Sequence, residues 1–122
     1  MVEGGNGVIT NNIVQETDCT NACVASGATA VGILVQSSTT MVNSVVSGNQ
    51  IVNSSQPTAA SNYAVLLIGT TNGFVGSNYI ANFSNGVYID PTSASTGDYY
   101  SNGFQGVTTN ATGGTALGTS NY

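Results

Sequence analysis

GVITNNIV, residues 7–14, sets small apolar residues around a pair of asparagines. Its outline returns as SVVSGNQI at 44–51, GFVGSNYI at 73–80 and GDYYSNGF at 97–104. Aligned, the four phrases share one frame. The first position is small (Gly7, Ser44, Gly73, Gly97) and the third apolar or aromatic (Ile9, Val46, Val75, Tyr99). The sixth is always asparagine (Asn12, Asn49, Asn78, Asn102), and the eighth is apolar again (Val14, Ile51, Ile80, Phe104). Successive asparagines lie 37, 29 and 24 residues apart. Repeats of roughly 20–50 residues mark solenoids, in which units that cannot bury their own inner face share a core with their neighbours.

A second phrase recurs between the first, as GILV at 32–35, AVLL at 64–67 and GVYI at 86–89. None of these runs carries the three- and four-residue spacing that a helix needs over ten or more positions. They are short, rich in valine and isoleucine, and bounded by Gly, Asn, Ser and Thr, which is the pattern of strands separated by turns. Stacked at the spacing of about 4.8 Å between paired strands, they predict an all-β, parallel β-helix of about four coils. The coils span residues 1–106, with a loop insertion near 16–30 and a Gly/Thr-rich closing tail over 107–122. In this frame Asn12, Asn49, Asn78 and Asn102 form a structural ladder, each in a bend that needs left-handed backbone, with side-chain amides bonding along the stack.

The G-x-apolar-x-x-N-x-apolar phrase and the intervening G-apolar-apolar-apolar strands resemble the right-handed parallel β-helix family, the pectate-lyase-like fold of polysaccharide lyases and phage tailspikes. The resemblance covers residues 7 to about 106, and the tail is similar to the closing segments of such proteins. It implies a right-handed helix and a setting outside the cell or on a virion. Lyases of that family use a basic residue or a metal-assisted base, and hydrolases use paired acids. This chain has no Lys, Arg or His and only five acids: Glu3, Glu16, Asp18, Asp90 and Asp98. The lyase base is therefore missing. Asp90 and Asp98, eight residues apart, could be neighbours but lack any supporting cation. Glu16 and Asp18, flanking the cysteine loop, could bind a calcium ion weakly, two acids being few for a calcium site. The expectation is a protein without a catalytic residue or cofactor.

A formal net charge of −5 with no cationic side chain excludes ordinary nucleic-acid binding, which neutralises phosphate with Lys and Arg. It excludes adhesion to anionic membrane surfaces for the same reason. No run of about 18 apolar residues is present, so no membrane span is expected. The opening MVEGGNG lacks the basic and apolar regions of a signal peptide, so the chain is expected to travel as part of something larger or to have lost such a signal. Cys19 and Cys23 read either as two reduced thiols in a loop or as a local disulfide; the latter implies an oxidising compartment. Two sulfurs without histidine leave a tetrahedral zinc site half empty. The sequons at Asn53, Asn82 and Asn110 matter only in a glycosylating host. Thr39–Thr40, Thr70–Thr71 and Thr108–Thr109 follow strands, where threonine is a common turn residue rather than an ice-binding array.

Partners follow from strand alternation. With Ile33/Val35, Val65/Leu67 and Val87/Ile89 inward, Leu34, Leu66 and Tyr88 stack outside, and Ile68 extends the column. A contiguous apolar stripe marks an interface, here for a homo-oligomer, a trimer among the options, unless a loop covers it. The N-terminal edge calls for a second cover, either upstream β-helix coils or another subunit. The expected function is a non-catalytic structural module of an extracellular or virion-surface assembly, such as a phage tailspike or fibre. The alternatives are the C-terminal portion of a polysaccharide-degrading enzyme, or a glycan-binding module using Tyr63, Tyr79 or Tyr88 as stacking platforms.

Overall fold

The computed structural model describes residues 2–3, 7–16, 30–53 and 62–118. The short valine- and isoleucine-rich runs all form strands. A first tier holds β1 (Val2–Glu3), β2 (Val8–Thr10) and β3 (Ile13–Glu16). A second holds β4 (Ala30–Val42), β5 (Val45–Ser47) and β6 (Gln50–Asn53). The third holds β7 (Asn62–Thr71), β8 (Gly73–Gly76) and β9 (Tyr79–Ala81), and the fourth β10 (Asn85–Ile89), β11 (Gly97–Tyr100) and β12 (Gly103–Gln105). β13 (Thr109–Thr112) and β14 (Thr115–Ala116) follow, so two strands lie beyond residue 106. Every pairing is parallel and joins a strand to the one three places on in the chain. Three parallel sheets result: β1-β4-β7-β10-β13, β2-β5-β8-β11-β14 and β3-β6-β9-β12. The fold is all-β, with its tiers stacked.

The second and third sheets are joined by two residues in every tier: Asn11–Asn12, Gly48–Asn49, Ser77–Asn78 and Ser101–Asn102. So sharp a corner requires left-handed backbone. It falls on the first residue of each pair, with φ of 58° at Asn11, 67° at Gly48, 55° at Ser77 and 53° at Ser101. This corrects the sequence reading, which gave that conformation to the ladder asparagine. The corner residue also donates to the tier below, Asn11 N to Ser47 O at 3.2 Å and Ser77 N to Tyr100 O at 3.0 Å. Serine in this region costs roughly 1 kcal/mol that glycine or asparagine largely avoids. Ser77→Gly should therefore raise the unfolding free energy by about 0.5 kcal/mol in urea titration, and a loss would contradict the assignment.

The core lies between the sheets. Ile33, Val35, Val65, Leu67, Val87 and Ile89 are all buried, as are Val46 and Val75 of the second sheet and Ile51 and Ile80 of the third. Phe83 is the largest fully buried side chain among the described residues. Room for it comes from small residues at the head of each first-sheet strand: a Cβ added at Gly32 would lie 2.7 Å from Ile51 Cγ2 and 3.5 Å from Phe83 Cζ. Its register partner Ala64 is fully buried, and Gly86 continues the column.

Candidate functional site

The four recurring asparagines form the most regular polar arrangement in the described residues. The Oδ1 of each lower asparagine accepts from both the backbone N–H and the Nδ2 of the one above. Asn12 N and Nδ2 reach Asn49 Oδ1 at 3.0 and 3.1 Å. Asn49 N and Nδ2 reach Asn78 Oδ1, both at 3.0 Å. Asn78 N and Nδ2 reach Asn102 Oδ1 at 3.1 and 3.0 Å. The second amide hydrogen turns to the preceding tier's third-position carbonyl, from Asn49 to Ile9, from Asn78 to Val46 and from Asn102 to Val75. Asn49 and Asn78 thus use two acceptor sites and three donors at once. Aspartate would lack the amide donors, and serine would have neither their number nor their reach. Asn49, Asn78 and Asn102 are buried, where leaving such groups unpaired is costly, whereas Asn12 at the top is exposed.

The outward column of the first sheet differs from the exposed stripe expected. Leu66 retains only 8 % of its surface, while Leu34, Ile68 and Tyr88 are half-buried. Leu66 sits in register between Leu34 and Tyr88, and the ring of Tyr88 meets Tyr63 edge-on at 5.0 Å and 68°. Alternation put Leu66 outside the core cluster, as expected, but it carries no information on how far that face is covered, and parallel sheets commonly have both faces covered. Tyr63 and Tyr88 therefore face each other rather than presenting two free platforms. Tyr79 is exposed, and its hydroxyl donates to Gln105 Oε1.

Among the described residues no hydrogen bond links Asp90 to Asp98. Asp90 caps a single 3-10 turn, Pro91–Ser93, accepting from Thr92 N at 2.9 Å and Thr92 Oγ1 at 2.8 Å. Desolvation pushes its carboxyl upward, but the bonds from Thr92 and Ser93 outweigh this and hold its pKa below the usual value of 3.8. The folded pKa is depressed, so the cap's contribution is present above pH 4 and disappears as pH falls through the folded value. An NMR titration should place the Asp90 midpoint below that of a free aspartate; a midpoint above it would remove the cap from the account. Asp98 lies on β11 in register with Phe74 and Thr115. Glu16 ends β3, while Asp18, Cys19 and Cys23 lie outside the described residues. Among the described residues no three His, Cys, Asp or Glu side chains gather to hold a metal ion. Of the threonine pairs, Thr70 is buried and Thr108 and Thr109 are exposed.

At the end of the stack, where the sequence predicts a Gly/Thr-rich closing tail, the structure has a depression that the sequence did not suggest. Tyr99, Phe104, Val107, Thr108, Asn110, Ala111, Ala116 and Gly118 line an open depression of about 650 Å³ below the fourth tier. The signal lay in the columns: Phe104 closes the eighth-position series on the last strand of its sheet, and Tyr99 is followed in register only by the small Ala116 of β14. No family model, curated protein or solved structure matches this chain, so the account of its site stands on the geometry alone.

Proposed function

We propose that the chain is a right-handed parallel β-helix of about four coils that serves as a non-catalytic structural module in an extracellular or virion-surface assembly, of the kind found in phage tailspikes and fibres. The asparagine ladder carries this reading. The polar side chain repeated most faithfully directs its hydrogen bonds to its neighbours in the stack, as a load-transmitting element requires and a binding row does not. The three-sheet topology is compatible with a β-helix, and the absence of Lys and Arg throughout the sequence leaves trypsin nothing to cut after. The half-buried column of Leu34, Ile68 and Tyr88 narrows the lateral contact available to an oligomer. The test is to incubate the purified chain with capsular and cell-wall polysaccharides and follow their chain length. Intact polymers are expected. Depolymerisation by this chain alone would overturn the structural reading in favour of an enzyme.

A further inference from the structure

The core columns are sealed in the middle and open at both ends. In the third-position series Val46 and Val75 are fully buried, but Ile9 above them and Tyr99 below are only partly so. The eighth-position series repeats this: Ile51 and Ile80 are fully buried, Val14 and Phe104 are not. The polar ladder is open at its top as well. Asn49, Asn78 and Asn102 each accept two bonds at Oδ1 from the tier above, whereas Asn12 Oδ1 receives no donor among the described residues.

We propose that copies of this chain associate end to end, the C-terminal mouth of one seated on the first tier of the next. A single contact of this kind covers both open ends: Ile9 of one copy meets the exposed Ala116 that follows Tyr99 in register, and Val14 meets the open side of Phe104, in a depression that Val107 and Ala111 of the other copy also line. An upstream segment of the same chain would cover only the first tier. Polarity selects the arrangement. Ladder bonds run from the donor groups of one tier to the Oδ1 of the next, so whatever lies on Asn12 must present donors downward in the same chain direction. Two first tiers facing each other would set acceptor against acceptor. The association is therefore heterologous and continues as a line rather than closing on a two-fold axis. It goes beyond the structural role proposed above, which a monomer embedded in a larger assembly would also satisfy.

Sedimentation velocity and light scattering on the full chain, over about a hundredfold range of concentration, test the proposal. The weight-average mass should climb from 12.2 kDa without a plateau. Ile9→Lys places a charge at the top of a core column; the long stem reaches water in a monomer but not beneath another copy. Ala116→Lys does the same in the mouth, where the native residue is exposed. Each variant alone should lose association at least tenfold. Mixed in equal amounts they should recover a species of twice the chain mass and stop there, because each retains one good end. Should Ile9→Lys not fold, Val8→Lys, at a residue 67 % exposed on the same edge strand, takes its place. A chain that stays monomeric throughout overturns the proposal. So does a mass that settles at a closed dimer or trimer, or a variant mixture that remains monomeric while the native chain associates.

Discussion

Asn78→Leu should cost about 4 kcal/mol of folding stability, a large share of the roughly 5–15 kcal/mol that holds a domain together. The substitution preserves size and removes the amide from the middle of the ladder. Asn49 N and Nδ2 lose their shared acceptor, and Val46 O and Asn102 Oδ1 each lose a donor. All lie in the buried part of the stack, where each stranded group costs about 1–3 kcal/mol because water does not replace the partner. Neighbouring tiers relax somewhat, which keeps the total below the full sum. Asn12→Ala is the control. It removes the same chemistry from an exposed end, and the Asn12 backbone N–H still serves Asn49 Oδ1, so about 1 kcal/mol or less is expected. Urea unfolding followed by far-ultraviolet circular dichroism gives both values from midpoints at constant m. Equal losses at the two positions would mean that asparagine is kept for its backbone preference and not for the ladder.

Gly86→Val should have an effect of similar size by an opposite route, adding atoms where none fit. A Cβ at Gly86 would stand 2.5 Å from both Asn110 O and Phe104 Cε1. The ring could turn toward the open depression, but the carbonyl belongs to β13, paired with β10 over Asn85, Val87 and Tyr88. Relieving the contact therefore means moving a strand. Overpacking of this sort costs about 1–3 kcal/mol and more when backbone must shift, so a loss of about 3 kcal/mol is expected, with β13 released first. Hydrogen exchange should show lost protection concentrated in 109–112. Gly103→Ala is the comparison, since its added Cβ meets only Tyr79 Cδ2 at 3.8 Å. Because Gly103 does not need positive φ, alanine there should leave stability unchanged or raise it by about 0.5 kcal/mol.

These two experiments touch features that differed in how plainly they could be read. The ladder was legible because asparagine occupies the sixth position of every phrase, and no other residue type matches that pattern of donors and acceptors. The inward set Ile33/Val35, Val65/Leu67 and Val87/Ile89 was legible from alternation. The small column was only half legible. Gly32, Ala64 and Gly86 were visible as the heads of their strands, but the reason for the small residues at Gly32 and Gly86 is packing partners brought in from other tiers, Ile51 and Phe83 for Gly32 and Phe104 for Gly86, which no local window contains. The left-handed residue was misplaced by one position because asparagine favours that region and drew the assignment to itself. Asn11 takes the conformation in the first tier, but Gly48, Ser77 and Ser101 take it elsewhere. The outward stripe was over-read at Leu66, where alternation says which side a residue faces but not how much covers it.

The constant two-residue corner has one further consequence. The connections from the third sheet back to the first skip 13, 8, 3 and 3 residues, while the ladder corner never varies. All the shortening of the repeat is therefore absorbed away from the asparagines. Such a chain has a ruler along one edge and slack along another. Foreign peptides grafted between Asn53 and Asn62, where the connection runs to eight residues in place of three, should be carried as passengers, whereas one residue added between Ser47 and Gln50 would put every later rung out of step. As a scaffold for displaying loops at fixed intervals, the molecule already marks which edge is free to be rewritten.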